Sequence, residues 1–203
     1  EDPLLISYCP LCGTGIVFDR RVDDKTYEFG VSGMLWQSNL LMYNRADDLD
    51  NRNLWSQVLG EAVVGDLAGR KLKVIPSDIM KLKDWAEIFP SGEVLNSGTV
   101  RDPYGGNYYD VAKRFEPNFD ITKSPLPPME YVYGIVVDGV AKAYPRSSIA
   151  PGMITDMVGE QEVVISVSET GIVSFFQEEM VITDVEGFWF SWFAAHPDTE
   201  IYK

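Results

Sequence analysis

The chain is poor in the side chains from which most reaction centres are built. It has one histidine, His196, and two cysteines, Cys9 and Cys12, in 203 residues. No nucleophile motif of the GxSxG kind is present, and no base, nucleophile and oxyanion donor can be assembled from the motifs. Enzymatic turnover is therefore not expected. Phosphate-cradling glycine loops are missing too: Gly30, Gly33 and Gly60 lack both the spacing and the lysine, which excludes a nucleotide cofactor. Cations are scarce, with 17 Lys and Arg against 31 Asp and Glu and a formal net charge of −14. Lys71 to Lys73 and Lys81 to Lys83 are spaced rather than clustered, so neither nucleic acid nor an anionic membrane is an expected partner. Long apolar runs are also lacking. A membrane helix needs about 18–20 such residues, whereas the longest candidate, Gly187 to Ala195, is far shorter and alternates like a strand. Two cysteines in one CxxC are too few for a disulfide framework. The chain opens on Glu1 rather than Met, as after removal of a signal peptide or trimming.

What is present is strand. Hydrophobic residues make up 45% and aromatics 12%, enough for a substantial core and against disorder. Leu4 to Tyr8 and Gly15 to Phe18 are short apolar runs flanking the cysteines, as two strands joined by a tight turn would be. Thr26 to Phe29, Leu40 to Tyr43, Glu61 to Val64 and Leu72 to Ile75 continue the pattern. Tyr131 to Val137 and Val140 to Tyr144 flank Asp138-Gly139, the dipeptide a type I′ hairpin turn prefers. Helix is limited to Asp84 to Phe89, stopped by Pro90, and a turn near Ser147. Residues 96 to 130 are rich in Gly, Pro, Asn and Tyr and form a connector or long loop. The expected fold is mainly β. Two related antiparallel halves, sandwich-like or barrel-like, span 1–95 and 131–203 around the irregular segment 96–130, and together make one structural unit.

The halves share a short internal repeat. Leu4-Leu5-Ile6-Ser7 aligns with Val163-Val164-Ile165-Ser166, and Thr14-Gly15-Ile16-Val17 with Thr170-Gly171-Ile172-Val173. The first copy has three extra residues between the blocks, and they fall in the cysteine loop. An insertion that hairpin folding does not require points to a purpose.

That loop, Cys9-Pro10-Leu11-Cys12-Gly13, is the segment best equipped for chemistry. Pro10 fixes φ, Gly13 permits positive φ, and the turn's N–H groups can then face the sulfurs. Three uses remain open. The pair can serve as part of a knuckle for a single Zn, Fe or Cu ion, with Cys9, Cys12 and His196 as the ligands this chain can supply, or with a second chain adding its own pair. It can cycle as a dithiol and disulfide, although thioredoxin-type motifs sit at a helix N-terminus and this one lies between strands. It can also be a disulfide, Cys9 to Cys12, that only staples the turn. Covalent haem is excluded because Gly13 stands where CxxCH needs histidine. Asp47-Asp48-Leu49-Asp50-Asn51 fails the EF-hand spacing, and Tyr104, Tyr108 and Tyr109 read as an aromatic loop.

Tyr8 to Thr14 with Phe18-Asp19-Arg20 resembles the uncharacterised family called domain of unknown function 3179. The likeness extends through Phe29 to Leu35, Ser38, Leu40 to Arg45, Trp55-Ser56-Gln57, Gly60 to Gly65 and Leu72. The second half adds Val137 to Gly139, Ala143 to Pro145, Phe188 to Phe190 and Pro197 to Thr199. The resemblance implies no established activity; many members look exported or lipid-anchored, which implies an extracytoplasmic or secreted setting. Asn39 and Asn44 depart from the pattern, where the family often has Asp, so no acid role carries over to them. Members usually carry, before the cysteines, a segment like Val136 to Val158 here; this chain begins inside the strand that ends it. An unpaired sheet edge is expected there, and with it self-association by strand addition into an oligomer or surface polymer.

Overall fold

A computed structural model describes residues 2–48, 51–95 and 123–203. Strands β1 (Leu4–Cys9) and β2 (Thr14–Asp19) form an antiparallel hairpin closed by the Cys9–Thr14 pair. Period-two alternation sorts β1: Leu4, Ile6 and Tyr8 face out, while Ser7 and Cys9 are buried. The small β3 (Arg21–Val22) and β4 (Lys25–Thr26) pair only with each other. Next, β5 (Phe29–Trp36), β6 (Asn39–Asn44), β7 (Leu54–Ser56) and β8 (Glu61–Val64) make a four-stranded meander. The strand expected at Thr26 to Phe29 is broken instead. Tyr27 donates its N–H to the Arg20 carbonyl at 3.1 Å, and pairing resumes at Phe29.

After β9 (Lys73–Ile75) and helix α1 (Leu82–Ile88) come β10 (Tyr131–Val137) and β11 (Val140–Pro145). Their turn, Asp138-Gly139, has φ of 48° and 81°, the positive pair that a type I′ turn requires. A single 3₁₀ turn covers Arg146–Ser148. A second meander follows: β12 (Gly152–Val158), β13 (Gln161–Val167), β14 (Val173–Gln177) and β15 (Met180–Ile182). Strand β16 (Val185–Phe188), helix α2 (Trp189–Ala195) and β17 (Glu200–Ile201) end the chain. The protein is mainly β, and its described residues form open, chiefly antiparallel sheets with two short helices.

The largest sheet runs β1-β2-β16-β10-β11-β17 with β9 also paired to β2. It thus draws strands from both 1–95 and 131–203. The aligned sequence blocks map onto two hairpins, β1–β2 and β13–β14, which lie in different sheets. Their registers differ by two residues, since Ser7 pairs Ile16 whereas Ser166 pairs Ser174. Of the connector, residues 96–122 and the tyrosines 104, 108 and 109 lie outside the described residues.

One expectation is corrected. Gly187 to Ala195 was read as a strand by its alternation, but the strand stops at Phe188 and α2 begins at Trp189. The reason is that Trp189, Phe190, Ser191 and Trp192 are all buried in succession, and helical winding distributes them among two packing clusters. Aromatic rings then stack at i,i+4 spacing, Trp189 on Phe193 at 5.0 Å and Trp192 beside His196 at 4.2 Å. The first two helical N–H groups find the carbonyls of Glu130 and Pro128 at 2.7 and 3.0 Å.

An ion-pair network centred on the buried Lys142 ties the C-terminus to the second meander. Lys142 of β11 places its ammonium 2.7 Å from Asp156 of β12 and 3.7 Å from Glu200 of β17. It also donates to the Met157 carbonyl at 2.6 Å, while the Tyr144 hydroxyl donates to Asp156 at 2.9 Å. Removing Lys142 leaves Asp156 half-buried without its cation, at a cost of about 3 kcal/mol, the worth of a hydrogen bond to a charged group. Lys142→Ala is expected to lower the melting temperature by roughly 10 °C. Lys142→Met combined with Asp156→Leu should recover most of that loss in a thermal melt, and a double variant as unstable as the single one would contradict the network's role.

Candidate functional site

The cysteine loop is a four-residue turn across the end of β1–β2. The Cys12 N–H reaches back to the Cys9 carbonyl at 3.2 Å, which draws the two residues to within disulfide range. Gly13 follows at φ 63°, and a Cβ there would meet the Phe188 ring at 3.0 Å. The loop is clamped against β16 from the other side. The Cys12 carbonyl accepts the Phe188 N–H at 2.8 Å and the Thr14 hydroxyl at 3.3 Å. A Cβ on Gly187 would strike Thr14 Oγ1 at 2.5 Å, so this close approach requires glycine.

Both cysteines are free thiols and both are buried, Cys9 at 2% and Cys12 at 0% exposure. The neighbouring Cys12 side chain holds the Cys9 thiol below its ordinary pKa. Burial opposes the shift, and the backbone N–H groups of Cys12, Leu40 and Leu11 reinforce it. The same contact, with burial, pushes the Cys12 thiol up. The two thiols therefore ionise unequally, Cys9 first. The Cys12 thiol also lies 3.2 Å from the Ser38 carbonyl. Ser38 and Gln37 form the two-residue turn between β5 and β6, at φ of 62° and 48°. Neither is glycine, and non-glycine residues in this region cost about 1–3 kcal/mol each. Strained backbone thus supplies the carbonyl opposite Cys12.

Buried polar side chains surround the loop. Gln57 donates to Ser7 Oγ at 3.0 Å and to the Thr14 carbonyl at 3.1 Å, while Ser7 donates to the Ile16 carbonyl at 2.8 Å. Asn39 donates to Ser191 Oγ at 2.9 Å and accepts the Val58 N–H at 3.1 Å. Gln57 Oε1 and Ser56 Oγ are buried with no partner among the described residues. Sequence reasoning did not assign a role to Ser38, Asn39, Ser56, Gln57 or Ser191. The available signal was polar residues beside Trp55 and within an aromatic run, where packing alone would place apolar ones.

His196 caps the end of α2 against Trp192, and burial lowers its pKa to about 4, with a smaller contribution from Lys71. Among the described residues no three of His, Cys, Asp or Glu gather closely enough to hold a metal ion, so His196 does not join Cys9 and Cys12. In the acidic loop Asp48 accepts the Asn51 N–H at 3.3 Å through its carbonyl, and residues 49 and 50 are outside the description.

A second polar place lies across β16. Glu186 and Asp78 line a cleft of about 310 Å³ together with Tyr131, Tyr133 and Arg146. Glu186 is buried, accepts the Ile79 N–H at 3.2 Å, and lies 3.2 Å from the Tyr131 hydroxyl. Burial raises its pKa to about 7; Asp184, with one carboxyl oxygen buried and unpartnered, rises to about 8 for the same reason, with Glu186 adding to it. A carboxyl whose folded pKa is raised holds its proton longer folded than unfolded, so its contribution to stability falls as pH rises from about 4.5 through 7. Glu186→Gln is expected to be increasingly favourable, relative to wild type, over that window. Paired melts across pH test this, and a constant difference would contradict it.

No curated protein and no solved structure matches the chain. A family model described as a protein of unknown function, DUF3179, matches residues 1–182. Carrying the clamped Cys9–Cys12 loop within the matched span, the chain belongs to the DUF3179 family.

Proposed function

We propose that this protein is an extracytoplasmic thiol–disulfide module whose chemistry is the interconversion of the Cys9–Cys12 dithiol and its internal disulfide. The observation that carries the reading is a pair of buried free thiols brought together across one four-residue turn, with the Cys9 thiol held below its ordinary pKa and the Cys12 thiol pushed up. A thiolate so stabilised is the attacking species in thiol–disulfide exchange. In the forward step the Cys9 thiolate attacks a disulfide and releases one thiolate. The Cys12 thiol then gives up its proton and attacks the Cys9 sulfur, and the second thiolate leaves. The protein loses two electrons and the partner disulfide gains them as two thiols. For a Zn, Fe or Cu ion this chain offers two sulfurs in one place, and the remaining ligands would come from a second chain.

Glutathione buffers of graded potential, acid quenching, alkylation and mass spectrometry test the proposal. A two-electron transition in the wild-type protein, absent in Cys9→Ser and Cys12→Ser, is expected. A pair that stays reduced at every potential, or stoichiometric bound metal that is lost in Cys9→Ser, would contradict it.

One observation favours a second reading, in which the chain assembles by strand addition. Among the described residues β1 is the edge of the largest sheet, with Leu4, Ile6 and Tyr8 exposed at 45%, 69% and 42% and no charged residue between Leu4 and Cys9. Natural edges are usually blunted by charge. On this reading the mass measured by light scattering rises with concentration, and Ile6→Lys abolishes the rise. A monomer at all concentrations rejects it.

A further inference from the structure

The largest sheet holds a buried carboxyl beside a hollow. Glu186 stands in β16 between Tyr133 of β10 and Gly15 of β2, the residues it pairs with. Tyr131 lies two residues away from Tyr133 along β10 and shares its face. Gly15 contributes no side chain there, and Ile79 leans over it, so that a Cβ on Gly15 would meet Ile79 at 2.9 Å. Glu186, Tyr131, Tyr133 and Ile79 all line the cleft of about 310 Å³. Glu186 is only 7% exposed, yet its oxygens meet neutral donors, the Ile79 N–H and the Tyr131 hydroxyl, each at 3.2 Å. A buried carboxylate without a cation is costly.

A cation faces the same cleft without answering that need. Arg146, in the 3₁₀ turn after β11, holds its guanidinium over the Tyr131 ring, 5.8 Å from the ring centre. Among the described residues neither Arg146 nor Glu186 makes an ion pair. One aromatic side chain thus carries a guanidinium over its face and a carboxyl at its hydroxyl, and the two charges stay apart. Such a pair is complementary to a small molecule that carries both signs.

The remaining lining narrows the class. Lys81 is offset by Asp78 and Asp84, so the cleft lacks the positive excess that a phosphate or a dicarboxylate would need. Among the described residues the acids do not gather closely enough to hold a metal ion. Ile79, Ile172 and Val173 supply apolar wall for a side chain.

We propose that this cleft binds a free α-amino acid with an apolar side chain, its ammonium on Glu186 and its carboxylate on Arg146. The Tyr131 ring sets the distance between the two anchors. An ammonium beside Glu186 favours the ionised carboxylate that burial disfavours in the empty cleft. The site is independent of the cysteine chemistry and stands whether or not Cys9 and Cys12 cycle.

Ligand-observed NMR titration of the full chain with leucine, leucinamide and N-acetylleucine tests both anchors. Leucine is expected to bind saturably, and each derivative, lacking one of the two charges, about tenfold more weakly or worse. Arg146→Gln should weaken leucine by a similar factor and leave leucinamide unchanged, since the amide has no carboxylate to lose. Glu186→Gln should weaken leucine likewise and leave N-acetylleucine unchanged. No saturable binding of leucine, valine or methionine up to about 10 mM overturns the proposal. Equal affinity for leucine and either derivative also overturns it, as does an Arg146→Gln chain that keeps its affinity for leucine. Should Glu186→Gln not fold, the exposed Arg146 and the two derivatives still decide the matter.

Discussion

The hydrogen bond from the Phe188 N–H to the Cys12 carbonyl joins the amino-terminal hairpin to a strand from the far end of the chain. Much of the structure is arranged to permit it. Gly13 gives up a side chain so that the Phe188 ring can lie against the loop, and Gly187 does so to let Thr14 and the Cys12 carbonyl approach. The clamp fixes where β16 ends, and α2 starts at the next residue. Ser191, in the first turn of α2, is thereby placed to accept from Asn39 at 2.9 Å. Phe190, two residues beyond Phe188, packs in the core cluster that contains both sulfurs.

Two costs surround the cysteines that packing alone would not select. Gln37 and Ser38 hold left-handed backbone angles without being glycine, at about 1–3 kcal/mol each. Orphaned polar atoms, Gln57 Oε1 and Ser56 Oγ, are buried nearby, each at about 1–3 kcal/mol. A hairpin that served only to close a sheet edge would be more stable with Asn-Gly in the turn and apolar residues beneath it. Costs concentrated beside two coupled thiols are the physical reason for reading this end of the molecule as working chemistry rather than scaffold.

Much of the fold was legible because it is local. Short apolar runs bounded by turn residues located β1, β2, β6, β8, β10 and β11 to within a residue or so at each end, and Asp138-Gly139 announced its turn. The helix α2 was not legible, since Phe188-Trp189-Phe190 alternates as well in a strand as in the first turn of a helix, and only tertiary burial of Ser191 and Trp192 decides between them. The cysteine turn was visible from Pro10 and Gly13. Its surroundings were not, because Ser38, Asn39, Gln57 and Ser191 are distant in sequence and converge only through the clamp. The Glu186 cleft was missed for a similar reason. A single glutamate in an apolar strand carries no motif, and its partners, Ile79 and Tyr131, come from separate elements.

Two adjacent buried thiols, Cys9 and Cys12, differ in how readily they ionise. Counting thiolates in the wild-type protein by ultraviolet absorbance, from acid to alkaline pH, tests it most directly. One thiolate per chain should form below the ordinary thiol range of about 8.5, and the second only well above it. Both thiols ionising together within that ordinary range would contradict the account.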